Sequence, residues 1–255
     1  MVKGMTGLLM VLVTIILSTT ANATLILLED FEDSTVTYTT SIADDLSDIA
    51  NRDYFGRLAP DTAIPPSNIQ YTNAQGSGYY GAQDTDGATS GNVDSITLDW
   101  KGIDVSSFTN LNLSWFIAED ESSDGFEDWD LASFFAVSVR TNGVGAFNNI
   151  FAVASELGTD GNETNEKARV DTDADGIGDG TEITAAFQQF SSSLADATSY
   201  DITVAIQFLD AADEDIAFDD LRLTGDLATT VPAPATLVLF CIGLIGLIGS
   251  RRKKA

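Results

Sequence analysis

Residues 215–225 read Asp215-Ile216-Ala217-Phe218-Asp219-Asp220-Leu221-Arg222-Leu223-Thr224-Gly225, and the spacing of their apolar positions decides the fold. Ile216 and Phe218 are two apart, and so are Leu221 and Leu223, as a half-buried strand requires. The step from Phe218 to Leu221 is three. Strand side chains alternate between faces, so an unbroken ladder would send the two halves to opposite sides of the sheet. A β-bulge near Asp219-Asp220 resets the register, and would also turn two neighbouring carboxylates toward one region. A strand that simply ends at Asp219 is the other reading of the same spacing.

The same period recurs upstream. Ile96, Leu98 and Trp100 alternate with polar neighbours, as do Leu111, Leu113, Trp115 and Ile117. Phe135, Val137 and Val139 follow, then Ile202, Val204, Ile206 and Phe208. Leu25–Leu28, Val36 with Tyr38, and Tyr54 with Phe55 add strands nearer the start. Thr141-Asn142-Gly143 and Gln75-Gly76-Ser77-Gly78 carry the turn chemistry between them. No repeat with the period of a solenoid or propeller is visible. The pattern predicts a mostly β fold, an antiparallel β-sandwich of jelly-roll type, with Trp100 and Trp115 in its core.

Composition narrows the chemistry. The chain has 255 residues, 39 acids, 12 bases and no histidine. Five bases lie at the ends (Lys3, Arg251, Arg252, Lys253 and Lys254), so seven face all 39 acids between Thr24 and Val231. Such a surface repels nucleic acid, whose binding depends on Lys and Arg neutralising phosphate, and attracts divalent cations. Without histidine there is no Ser-His or Cys-His catalysis and no imidazole metal site. The single cysteine, Cys241, lies in the apolar tail, so the middle has neither disulfide nor reactive thiol.

The two ends read as targeting segments. Residues 1–23 combine one base, an apolar run from Leu8 to Leu17, and Ala21-Asn22-Ala23, the pattern of a cleaved signal peptide. Residues 24–226 are then the sandwich, 227–231 a linker, and 232–255 a tail. The tail joins Pro232-Ala233-Pro234 to an apolar run ending near Gly249 and to Arg251-Arg252-Lys253-Lys254. That run is shorter than the roughly 20 residues of a comfortable bilayer span. Its basic end stays cytoplasmic under the positive-inside rule, giving transient inner-membrane contact through one short C-terminal transmembrane helix. A permanent anchor and a core helix are the alternatives.

This tail resembles the PEP-CTERM sorting signal, departing from it by Ala233 where the family carries Glu. The resemblance implies a secreted chain from a Gram-negative cell with an exopolysaccharide system, whose tail an exosortase removes at the outer surface. It covers only the last 25 residues or so.

The strongest chemical motif is Asp171-Thr172-Asp173-Ala174-Asp175-Gly176-Ile177-Gly178-Asp179-Gly180-Thr181-Glu182, which fits the oxygen-ligand spacing of an EF-hand-type calcium loop. Asp171, Asp173 and Asp175 would bring carboxylates to one centre, the Ile177 carbonyl a neutral ligand, and Asp179 a direct or water-mediated one. Glu182 would close the shell. Gly178 replaces the branched residue that pairs two such loops, and no entering helix precedes Asp171. The loop therefore resembles the solitary Asp loops of thrombospondin type 3 or dockerin-like segments. Its expected cofactor is Ca²⁺ in a structural role; a solvated acidic turn is the bland alternative. Ile183, Phe187 and Phe190 fit a short exit helix or a strand.

The run Glu119–Asp130 is a second acidic segment, either a cation site or a ligand loop in which Trp129, flanked by Asp128 and Asp130, stacks on sugar. A plain solvated loop is the commoner outcome for such runs. Gln83-Asp84-Thr85-Asp86-Gly87 is a weaker case. The 215–225 stretch also resembles the closing strand of secreted jelly-roll modules, carbohydrate-binding ones included. That resemblance implies a structural Ca²⁺ shared between the first and last strands, with Glu29, Asp30, Glu32, Asp219 and Asp220 as candidates.

Three functions fit. The first is a non-catalytic, calcium-stabilised surface or matrix protein associated with extracellular polysaccharide. The second is a carboxylate-based glycoside hydrolase or lyase, for which no acid pair stands out. The third is a purely structural or adhesive coat protein. An exposed row of aromatics would favour sugar binding over the third, and a cleft with two perturbed acids would favour the enzyme.

Overall fold

The computed structural model describes residues 23–33, 35–58, 71–85, 93–120, 129–156, 166–209 and 214–228. Residues 1–22 of the signal peptide, Asp86, Asp128 and the whole sorting tail lie outside them. Among the described residues thirteen strands follow one another: β1 (Thr24–Glu29), β2 (Thr39–Thr40), β3 (Asp45–Asp48), β4 (Asp53–Leu58), β5 (Tyr79–Gln83), β6 (Ser95–Asp104), β7 (Phe108–Ala118), β8 (Phe134–Thr141), β9 (Asn148–Ser155), β10 (Ala168–Val170), β11 (Gln188–Ser193), β12 (Ser199–Gln207) and β13 (Asp215–Leu227). Among the described residues no helix is long and apolar enough to cross a membrane.

The strands form two antiparallel sheets, as the alternation predicts. One runs β11-β7-β13-β5-β4-β3 with β1 also on β13; the other runs β10-β9-β8-β12-β6-β2. Ile96, Leu98, Trp100, Leu113, Trp115, Ile117, Phe135, Val137, Ile202, Val204 and Ile206 all enter one core. Fully burying side chains of this size contributes roughly 1.5–3 kcal/mol each, which is why their spacing sets the register. At Thr141-Asn142-Gly143, Asn142 and Gly143 have φ of 55° and 66°, the left-handed pair that a tight turn out of β8 requires. β13 extends through Leu227, one residue past the boundary expected at 226, and the Ala228 N–H still donates to Ser107 O at 2.8 Å.

The quoted stretch is a central strand, and it is bulged. In its pairing with β7, Asp219 lies opposite Phe116 and Arg222 opposite Ser114, three steps against two. Asp220 takes φ 50°. The extra residue keeps Phe218 and Leu221 both fully buried in the core. On the other edge of β13, β5 pairs as far as Phe218 and β1 begins at Leu221. Asp219 and Asp220 therefore occupy a gap between two strands laid end to end.

Two expectations change. Val36 and Tyr38 lie before β2, which is only Thr39–Thr40, and Tyr38 is buried while Val36 is exposed. Residues 182–190 form no helix; a bridge at Glu182 leads into β11. β5 and β9 carry no clean alternation, because Gly81, Ala82, Ala152 and Ala154 occupy buried positions where a pattern needs large residues.

Candidate functional site

Two acidic centres emerge, and they differ in what surrounds the carboxylates. In the Asp-rich loop, Asp171, Asp173 and Asp175 place oxygens within 4.8 Å of one another. Asp171 is buried and accepts from Ala174 N–H at 2.7 Å and Gly176 N–H at 2.9 Å. Asp175 accepts from Ile177 N–H at 3.0 Å. Asp173 and Asp175 face solvent. The Asp175 carboxylate holds the Asp173 carboxyl above its ordinary value by like-charge repulsion. Asp179 turns back to accept from Thr172 Oγ1 at 2.7 Å and Thr172 N–H at 3.0 Å, which lowers its pKa.

Glu182 is engaged elsewhere. Its backbone bridges to Arg169, and its carboxylate meets Lys167 Nζ at 2.6 Å and Arg169 at 2.9 Å. Arg169 also pairs with Glu156. The bridge sets Glu182 beside two cations, whose attraction outweighs that of a loop which is itself negative. The loop thus gathers the first three expected ligands without the closing one.

The second centre lies where the chain start, residues 73–78 and the bulge meet. Glu29 is buried and accepts from Thr37 N–H and Oγ1, both at 2.7 Å, and from Phe31 N–H at 3.3 Å. Asp30 accepts from Glu32 N–H at 3.2 Å. Glu32 accepts from Ser77 N–H at 2.6 Å and Gly78 N–H at 2.7 Å, and the Gly78 and Ser77 amides hold its pKa low. This approach requires glycine. A Cβ on Gly76 would strike the Glu32 carboxylate, and one on Gly78 the Phe31 carbonyl.

Asp219 completes it. Its residue is 0% exposed; Oδ2 accepts from Gln75 N–H at 3.0 Å, and Oδ1 is buried without a hydrogen-bond partner. Burial pushes its carboxyl up to about 7; the Gln75 and Asp220 amides oppose this, and the Asp220 and Glu32 carboxylates add to it. Asp220 is buried and accepts from Arg222 Nε at 3.0 Å. A buried carboxylate oxygen with nothing to accept from, close to two more carboxylates, is the electrostatic condition that a cation relieves.

Trp129 is not a sugar platform here. It is 0% exposed, belongs to the main core, and its backbone N–H donates to the Glu166 carbonyl at 2.9 Å, which pins the residue into the end of the sandwich. An indole buries more apolar surface in the core than a loop tip offers it. Asp130 donates its N–H to Glu214 Oε1 at 2.7 Å. Among the described residues the exposed large aromatics are Phe147 and Phe208, not a row. An open cleft of about 300 Å³ is walled by Val139, Arg140, Val144, Ile150, Leu194 and Tyr200, and its lining holds no carboxylate. Sequence reasoning did not single out the buried Glu214 and Asp215, although Glu214 directly precedes the quoted stretch.

Comparison with solved structures finds sandwiches of this kind. The K3 cleaved adhesin domain of Lys-gingipain from Porphyromonas gingivalis W83 is 17% identical, covering 80% of this chain and 99% of that one, with a TM-score of 0.42. The CBM22-1 xylan-binding domain of Paenibacillus barcinonensis Xyn10C is 10% identical over 83% of this chain and all of that one, TM-score 0.37. TmCBM61, solved with β-1,4-galactotriose, is 13% identical over 76% and 91%, TM-score 0.37. Curated proteins give no match. A family model does match at the end of the chain: residues 230–253 are a PEP-CTERM protein-sorting motif, which marks a secreted protein sorted to the cell surface by exosortase.

Proposed function

We propose that this chain is an exported, non-catalytic surface or matrix protein, stabilised by calcium and associated with extracellular polysaccharide of a biofilm matrix. The observation that carries the reading is the sorting motif at 230–253 joined to a strongly acidic β-sandwich. Exosortase cuts the tail and releases the sandwich to the outer surface. Calcium binds the centre of Asp219, Glu32 and Asp220, and more weakly the loop of Asp171, Asp173 and Asp175. Buried Asp219 Oδ1 supports the first assignment, and the convergence of three aspartates the second. Extracellular calcium at millimolar levels suffices for sites of modest affinity.

A purely structural or adhesive coat protein is the second reading, favoured by the burial of Trp129 and the scattered placement of exposed aromatics. For a carboxylate-based carbohydrate-active enzyme the support is thin. Asp219, whose carboxyl burial pushes up, is fully buried, and the open cleft lacks acids.

The test is the intact mass of the protein from its own producer, by cell fraction, followed by calcium-dependent melting and binding to matrix polysaccharide. A surface species starting at Thr24 and ending near Pro234, whose melting temperature rises with calcium and which co-sediments with the polysaccharide, supports the proposal. A membrane species retaining Ala235 to Ala255 removes the processing step. A processed species that ignores the polysaccharide leaves the coat-protein reading.

A further inference from the structure

A cross-strand row at one end of the first sheet is independent of both centres above. Tyr54 lies opposite Gln83 in β4–β5, and Gln83 opposite Asp215 in β5–β13. The β7 register, Ala217 opposite Ala118, carries the row on to Asp120. Directly paired residues share a face, so Tyr54, Gln83 and Asp215 stand side by side, with Asp120 two residues beyond the end of β7 and its N–H on Asp215. All four are buried: exposures are 0% for Tyr54, 2% for Gln83 and Asp215, and 6% for Asp120.

The row is organised around the Asp215 carboxylate. Its Oδ1 accepts from Asp120 N–H at 3.1 Å and from the Tyr71 hydroxyl. Tyr71, Tyr79 and Phe187 pack over this part of the sheet, with ring centroids 5.4–5.8 Å apart. The independent pointer is Tyr54. Its hydroxyl is fully buried and has no hydrogen-bond partner, yet it lies in the fields of the Asp215 and Asp120 carboxylates. A phenol deprived of water keeps no unused hydroxyl without cost.

We propose that this row is a buried divalent-cation site: Asp215 and Asp120 supply carboxylate oxygens, Gln83 its side-chain carbonyl, and Tyr54 a hydroxyl that ligates the ion or holds a water bound to it. Hard oxygen donors of this kind suit calcium. The site ties the ends of β4, β5, β7 and β13 together. It is distinct from the bulge centre, so either can fail alone.

Terbium titration of the chelator-stripped full-length protein, read by tyrosine-sensitised luminescence, tests it, together with melting in calcium and in chelator. Tyr54→Phe removes one oxygen. It should weaken the tyrosine-sensitised terbium binding about tenfold, the effect of losing one hydrogen bond to a charged group. It should also shrink the calcium-induced rise in melting temperature, while leaving the stripped protein as stable as the parent or more so. Asp219→Asn should leave the Tyr54-dependent signal intact. Unchanged terbium affinity in Tyr54→Phe, or equal stabilisation of that variant with and without calcium, overturns the site. Asp215→Asn should abolish the signal; should it fail to fold, Tyr54→Phe decides.

Discussion

The Asp-rich loop at 171–179 and the bulge at 219–220 are both acidic, but their environments are opposite. The loop looks like a metal site in one dimension, yet most of its carboxylates are already served: by its own amides, by the Thr172 hydroxyl and, for Glu182, by Lys167 and Arg169. The bulge has no motif, and it holds a carboxylate oxygen sealed from water with no partner. Demand for a cation follows burial and unmet hydrogen bonding rather than the count of acids, because solvent screens exposed charges and fixed amides can replace an ion.

The largest effect that would sharpen this contrast is in the pH dependence of the metal-free protein. The folded Asp219 carboxyl, at about 7, binds its proton more tightly than the unfolded chain does at about 4. Its contribution to stability is therefore fully present below about pH 4 and is lost as pH rises to about 7, on the order of 4 kcal/mol in all. Asp219→Asn, which mimics the protonated form, should remove that slope from chelator-treated samples. A slope identical in parent and variant breaks the contrast.

Next in size is the response to calcium. An ion at a hundredfold excess over its dissociation constant adds about 2.7 kcal/mol, or about 5–10 °C in a domain of this length. Asp219→Asn should lose most of the rise assigned to the bulge centre. If Asp173→Asn loses more, the loop is the principal site. Glu182→Gln should cost about 1 kcal/mol at most, the worth of partly exposed ion pairs, with calcium affinity unchanged. A fall in affinity there would mean that Glu182 swings over to close the loop. Smallest is Asp173→Asn in chelator, where relief of repulsion from Asp175 should raise the melting temperature slightly.

The strands with large alternating side chains, β6, β7, β8 and β12, were legible because each buries a row of Ile, Leu, Val, Phe or Trp. β5 and β9 were not, since Tyr79-Tyr80-Gly81-Ala82-Gln83 and Asn148–Ser155 put small residues at buried positions. At the candidate sites, spacing correctly grouped Asp171, Asp173 and Asp175 because all three belong to one tight loop. It carried no sign that Glu182 pairs with Lys167 and Arg169 or that Trp129 enters the core, because strand packing decides both.

Sequence by itself determined the sorting address and the all-β class, and it marked Asp219-Asp220 as either a bulge or a strand end, since each depends on local order: an apolar run before a basic cluster, a period of two, a step of three. Tertiary structure alone decided that the step is a bulge and falls in the gap between β1 and β5, that Glu32 and Asp219 meet, and that Tyr54, Gln83 and Asp215 stand in one row beside Asp120. Whether a carboxylate is solvated or stranded depends on what packs around it, and those neighbours lie up to 144 positions away along the chain.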